Sequence, residues 1–209
     1  MSDVLTLSQW LSPAFPVGAF AFSHGLETAI SDGLVTDAGA LEDWLSDLAE
    51  HGSLRSDVVL LSAAYAAPTP DKAQAAALAF QPSAERLEEA VQLGTAFCRT
   101  VRDVWDVDLP DLAYPVAVGY AAKLRGISLD DTAALYAQSF LGNLVSAAIR
   151  LMPLGQTEGQ GVLARLQPHC RALGNEAAQL SLDDLASAAF LSDIQSMRHE
   201  TQSPRIFQS

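Results

Sequence analysis

The sequence predicts an all-α, single-domain bundle of about ten helices. Three observations carry that prediction. Apolar residues recur at spacings of three and four along most of the chain. Serine, threonine and proline stand where helices would start, with acids in the first turns that follow. Alternating β-branched patterning is nearly absent, so no sheet is expected. The 209 residues fit one sizeable core, and 49% hydrophobic against 18% charged residues is a globular composition.

Taken in order, short helices are expected over Val4 to Leu11, Gly25 to Ser31, Ala38 to His51 and Leu54 to Ala66. Thr69 would cap the next, with Pro70 at its first position. Leu87, Val91, Gly94, Cys98, Val101 and Trp105 then fall on one stripe of a long helix. Pro115 opens a helix that Gly126 stops. Ser128 caps a helix from about Asp130 to Leu151, whose buried line is Tyr136, Phe140, Leu144, Ala148 and Leu151; Gly142 and Ala147 would admit a close neighbour. Ser181 would cap a last helix, Leu182 to Met197, burying Leu182, Leu185, Ala189, Phe190, Ile194 and Met197. Residues 1–199 thus form the helical domain, and residues 200–209, past a break at Pro204, form a tail expected to be ordered by a partner.

Composition narrows the function. A net charge of −13 disfavours nucleic acid and anionic membranes, both of which attract basic surfaces. It leaves protein partners. No apolar run reaches the length of a membrane span. Two distant cysteines, Cys98 and Cys170, and an N-terminus without a basic signal region point to the cytoplasm.

Catalytic patterns are weak. Ala21 to Gly25, "AFSHG", is one residue from the G-x-S-x-G elbow, so a serine hydrolase built on Ser23 and His24 is one alternative. That elbow needs an alternating sheet, and Ala21 would crowd the turn. Ser23 reads better as a cap for a helix starting near His24, with Glu27 closing a capping box. "GQTEGQG" from Gly155 lacks the lysine of a phosphate loop. "RHETQ" has Ser203 where a zinc-protease motif needs its second histidine. His24, His51, His169 and His199 are scattered, leaving a direct nickel carrier as a further alternative. No metal site, cofactor or catalytic residue is assigned, and the chain is not expected to be an enzyme.

Three stretches in order, "SPAFPVGAFAFSHGLE", "RLMPLGQTEGQ" and "RHETQSPRIFQS", resemble the UreF family of urease accessory proteins. The match includes Pro13, Pro16, Gly18, Ser23, Gly25 and Glu27 in the first, Arg150, Gly155, Gln156, Gly159 and Gln160 in the second, and His199, Glu200, Gln202, Arg205 and Phe207 in the third. The chain departs from the family pattern at Phe20, Ser203, Pro204 and Gln208. The resemblance implies an all-α homodimer that bridges a UreD/UreH-type protein and the UreG-type GTPase. In that role it supports nickel insertion into apo-urease and modulates GTP hydrolysis.

Pro13, Pro16 and Gly18 read as a rigid turn between helices. Phe15, Phe20 and Phe22 are either core or an interface patch. Arg150 either complements a helix end or pairs with a carboxylate. Phe20, Phe22, His199, Glu200, Gln202, Arg205 and Phe207 are the candidate partner contacts. Arg205, with bidentate and cation–π capacity, is the first among them; the alternative is a frayed tail.

Overall fold

The computed structural model describes residues 2–209. It contains ten α-helices: α1 (Ser2–Trp10), α2 (Leu26–Ser31), α3 (Ala38–His51), α4 (Ser53–Ala66), α5 (Asp71–Ala79), α6 (Ala84–Trp105), α7 (Tyr114–Leu124), α8 (Leu129–Leu151), α9 (Gln156–Glu176) and α10 (Phe190–His199). Three single 3-10 turns complete it, and the described residues contain no strand. The all-α, single-domain prediction holds.

Helix starts follow capping chemistry. Asp37 accepts from the Ala40 amide at 2.9 Å, Ser83 from Arg86 at 3.2 Å and Ser128 from Asp131 at 3.3 Å. Ser181 caps only a 3-10 turn, closed reciprocally by Asp184. Pro70 sits at the cap of α5 and not inside it, while Thr69 Oγ1 turns to Asp71 at 2.8 Å.

α8 and α9 form the most extensive helix pair, followed by α4 with α7. α10 lies across α2 and the start of α6. The core runs between these layers, with Trp10, Phe97, Leu45, Leu60 and Leu61 essentially inaccessible. Trp10 meets Phe97 and Trp105 edge-on at 5.4 and 5.7 Å. Cys98 and Cys170 are buried free thiols.

Four expectations need correction. Gly94, Cys98 and Val101 of the expected α6 stripe are buried, but Leu87 and Val91 are exposed and α6 buries Arg86, Glu89, Ala90 and Leu93 instead. Two of those are charged, so apolar periodicity pointed to the wrong side of the helix at its first turns. The expected helices omit α9, whose buried face of Gly159, Val162, Leu166, Cys170 and Leu173 keeps helical spacing although Pro168 lies inside it. The expected last helix is split. Leu182–Asp184 is a 3-10 turn, residues 185–189 run without helix, and α10 begins at Phe190. The irregular stretch is tied down by its backbone, with Ala188 N donating to His51 O at 2.8 Å and Ala186 O accepting from Ser56 Oγ at 3.1 Å. Phe190, Ile194 and Met197 consequently face outward on α10. Finally, Gly142 is not a close-approach site, since a Cβ there would meet only Leu163 Cδ2 at 3.7 Å.

Candidate functional site

The break after α1 is a folded corner. Pro13 and Pro16 lie in its turns and Gly18 adopts φ +84°, opening a 3-10 turn over Ala19–Ala21. The corner answers the question of its phenylalanines one by one. Phe15 is buried against Phe97 and Trp105, at 5.6 and 6.2 Å between ring centroids. Phe22 is buried as well. Phe20 alone shows its ring to solvent, at 66% exposure.

Gly25 ends the corner at φ +77° and caps α2. A Cβ there would lie 2.6 Å from Ser196 N, so the absence of a side chain is what lets α10 lie on this corner. Ser83 Oγ and Ser196 Oγ, 2.8 Å apart, fasten α10 to the start of α6.

Residues 200–209 return to the same place, which the apolar character of Phe207 makes favourable. Phe207 is 3% exposed and Ser209 is fully buried. The organiser is Glu27, itself 5% exposed. Its Oε1 accepts from Ile206 N at 2.7 Å and its Oε2 from Phe207 N at 2.9 Å. Further bonds continue the seam. Gln208 N donates to Ala21 O at 2.8 Å, and Ser23 N donates to Ser209 O at 2.8 Å. Ser23 Oγ also donates to Ser209 O, and Ser209 Oγ donates to Glu89 at 2.8 Å.

These contacts revise two expectations. Ser23 does accept from the Glu27 amide, at 3.3 Å, but the helix starts at Leu26 and not near His24. Glu27 closes no capping box; its carboxylate serves the tail.

His199 joins the two parts from α10. Its Nε2 lies 3.2 Å from Glu27 Oε2 and its Nδ1 2.7 Å from Glu85 Oε2, with the ring wholly buried. Glu85 also receives Arg205 Nη1. Gln202 accepts from Thr28 Oγ1 at 2.6 Å, and Glu200 accepts from Ala84 N at 2.7 Å. Arg150, at the end of α8, resolves its alternatives in a third way. Its guanidinium stands 4.6 Å from the Phe207 ring centroid and its Nη1 donates to Phe20 O at 3.3 Å.

The middle motif does separate work. Gly155 caps α9 and Gln156 begins it. A Cβ at Gly159 would approach Ile149 Cδ1 to 2.7 Å, so this glycine sets the α8–α9 packing. Gln160 lines a groove of about 360 Å³ together with Phe20. His51 and His169 lie apart from the corner, each beside Glu50.

Behind the tail is a buried ionic cluster that periodicity did not disclose. Glu89 holds Arg86 Nη1 and lies 2.8 Å from His24 Nε2. Asp57 accepts from Tyr136 OH at 2.8 Å. Burial works to raise the Glu89 carboxyl, but Arg86 and His24 outweigh it and hold it down to about 2. Burial dominates at Asp57, pushed up to about 6 against the pull of Arg86. Burial, then Arg86, lowers His24 from its ordinary value. The only signal in the sequence was Glu89 at helical spacing from Arg86, which reads as a surface pair.

The described residues contain no group of three His, Cys, Asp or Glu side chains arranged to hold a metal ion. No helix among them is long and apolar enough to cross a membrane.

The family model named UreF matches residues 35–167. The matched span lies between the corner and the tail, while full-length relatives cover both. The chain is 51% identical to the urease accessory protein UreF of Roseobacter denitrificans, over 98% of this chain and 93% of that protein. It is 53% identical to that of a Ruegeria species, over 98% and 97%. It is 46% identical to that of Azorhizobium caulinodans, over 99% and 96%.

Proposed function

The chain belongs to the UreF family of urease accessory proteins, with a role in urease maturation, and we propose that it acts as a non-catalytic adaptor whose corner and tail form one docking surface. It works in the cytoplasm as a homodimer. It bridges a UreD/UreH-type protein and the UreG-type GTPase, supports nickel delivery to apo-urease and influences GTP hydrolysis through that assembly.

One observation carries this reading: Glu27 holds the backbone of Ile206 and Phe207 on the corner, so motifs at opposite ends of the chain become a single surface. That surface presents groups suited to a protein interface. Phe20 and Ile206 are 66% and 63% exposed, and Phe190, Ile194 and Met197 form an outward apolar line on the adjoining α10. Arg205 offers its remaining guanidinium donors beside them, its side chain 44% exposed. A partner would hold residues 200–209 in this docked arrangement.

The hydrolase reading is disfavoured because Ser23 Oγ is engaged by Ser209 and His24 Nε2 by Glu89. The test is co-purification with the UreD/UreH-type partner, using the full chain, a chain lacking residues 200–209, and Arg205→Ala. Recovery should fall for both variants. Equal recovery of the complex from all three would overturn the role of the tail.

A further inference from the structure

Between the corner and α4, α6, α7 and α8 lies a cavity of about 50 Å³, lined by His24, Asp57, Arg86, Glu89, Tyr114 and Tyr136 among others. Two polar atoms of its lining residues are buried without a protein partner, His24 Nδ1 and Arg86 Nε. Both residues are more than nine-tenths buried. Buried polar atoms are normally paired, and two orphans carried by residues that line one cavity call for an occupant.

We propose that this cavity is a built hydration site, holding a small cluster of ordered water that bridges His24 Nδ1 and Arg86 Nε. The chemistry of the two atoms selects the occupant. Arg86 Nε–H can only donate. His24 Nε2 lies closer to the Glu89 carboxylate, 2.8 Å, than to Arg86 Nη1, 3.1 Å, and a carboxylate can only accept. The ring proton therefore belongs on Nε2, and in the neutral ring Nδ1 is a bare acceptor. The occupant must accept from one atom and donate to the other. A simple anion lacks the donor and a simple cation lacks the acceptor. Water supplies both.

The space agrees. A water needs roughly 10–15 Å³ of such volume, so the cavity takes about three to five. Placement gives the site its interest. Glu89, which orders the His24 and Arg86 side chains, also accepts from Ser209 Oγ at 2.8 Å, so the water lies one side chain behind the anchored tail.

The test is a high-resolution crystal structure of the full chain, paired with oxygen-17 water relaxation dispersion in solution. The expected result is ordered density within hydrogen-bond reach of both orphan atoms, and long-lived internal water in solution. An empty cavity, or protein groups taking up both atoms, overturns the proposal. Ala90→Leu adds apolar volume to the cavity wall and should abolish the long-lived signal assigned to this site. A folded Ala90→Leu variant with the signal unchanged would place the water elsewhere and also overturn it. Should that variant not fold, the wild-type measurements decide alone.

Discussion

Replacing Glu27 with glutamine tests whether the tail depends on a carboxylate. Glutamine keeps the shape of the side chain. It has one oxygen, whereas Glu27 uses both of its own, one for Ile206 N and one for Phe207 N. In either amide orientation, an NH₂ group would face a backbone N–H. At least one buried bond is lost, and the interaction of Glu27 with His199 weakens with it. A hydrogen bond to a charged group contributes about 1.5–3 kcal/mol. Losing about 2–3 kcal/mol lowers the docked-to-free ratio of the tail roughly 30- to 150-fold, since about 1.4 kcal/mol is tenfold. Hydrogen–deuterium exchange reads this directly. The amides of Ile206 and Phe207 should exchange faster by a similar factor, while core amides of α8 change much less. Unchanged protection at both tail amides would refute the reasoning, because Glu27 would then not be what holds them.

Other substitutions separate further parts of the argument. Gly25→Ala combines a left-handed backbone with a Cβ 2.6 Å from Ser196 N. Each of these costs on the order of 1 kcal/mol or more; a chemical denaturation midpoint equal to wild type would contradict the packing of α10 described above. Phe22→Ala should cost about 3–5 kcal/mol as a buried truncation, and Phe20→Ala no more than ~0.5 kcal/mol in thermal unfolding, a contrast that equal melting points would refute. Asp57 takes up a proton more readily in the folded state, at about 6 against an ordinary 3.8. Its contribution is therefore most favourable below pH 3.8 and is lost as pH rises through about 6, a span of about 3 kcal/mol. Asp57→Asn should gain on wild type by up to that amount between pH 4 and 7, measured by urea denaturation at each pH, and a pH-independent difference would exclude the assignment.

Local chemistry made much of the fold legible. Ser128 and the apolar spacing after it placed α8 within one residue of where it lies, whereas the stripe from Leu87 to Trp105 found the end of α6 but missed its first turn, which Ser83 caps. The errors share a cause. On α6, Arg86 and Glu89 are buried because they satisfy each other and His24, which no apolar count registers. On α10, Phe190, Ile194 and Met197 looked like core and face outward, because α10 begins only at Phe190 and turns its small and polar residues inward, among them Ser192, Gln195 and Ser196.

The candidate site divides the same way. Sequence alone singled out the corner and the tail, since proline, glycine and terminal aromatics act through their own backbones and surfaces, while the middle motif stood out by its resemblance to the UreF family. It also determined the helical class, because capping and periodicity operate within a few residues. Tertiary structure decided that Glu27 holds Ile206 and Phe207, that Arg150 stands against the Phe207 ring, and that Phe15 and Phe22 go inward while Phe20 goes out. Those pairings join residues far apart in the chain. They exist only once a glycine at position 25 lets α10 close on the corner and brings the tail within hydrogen-bond reach.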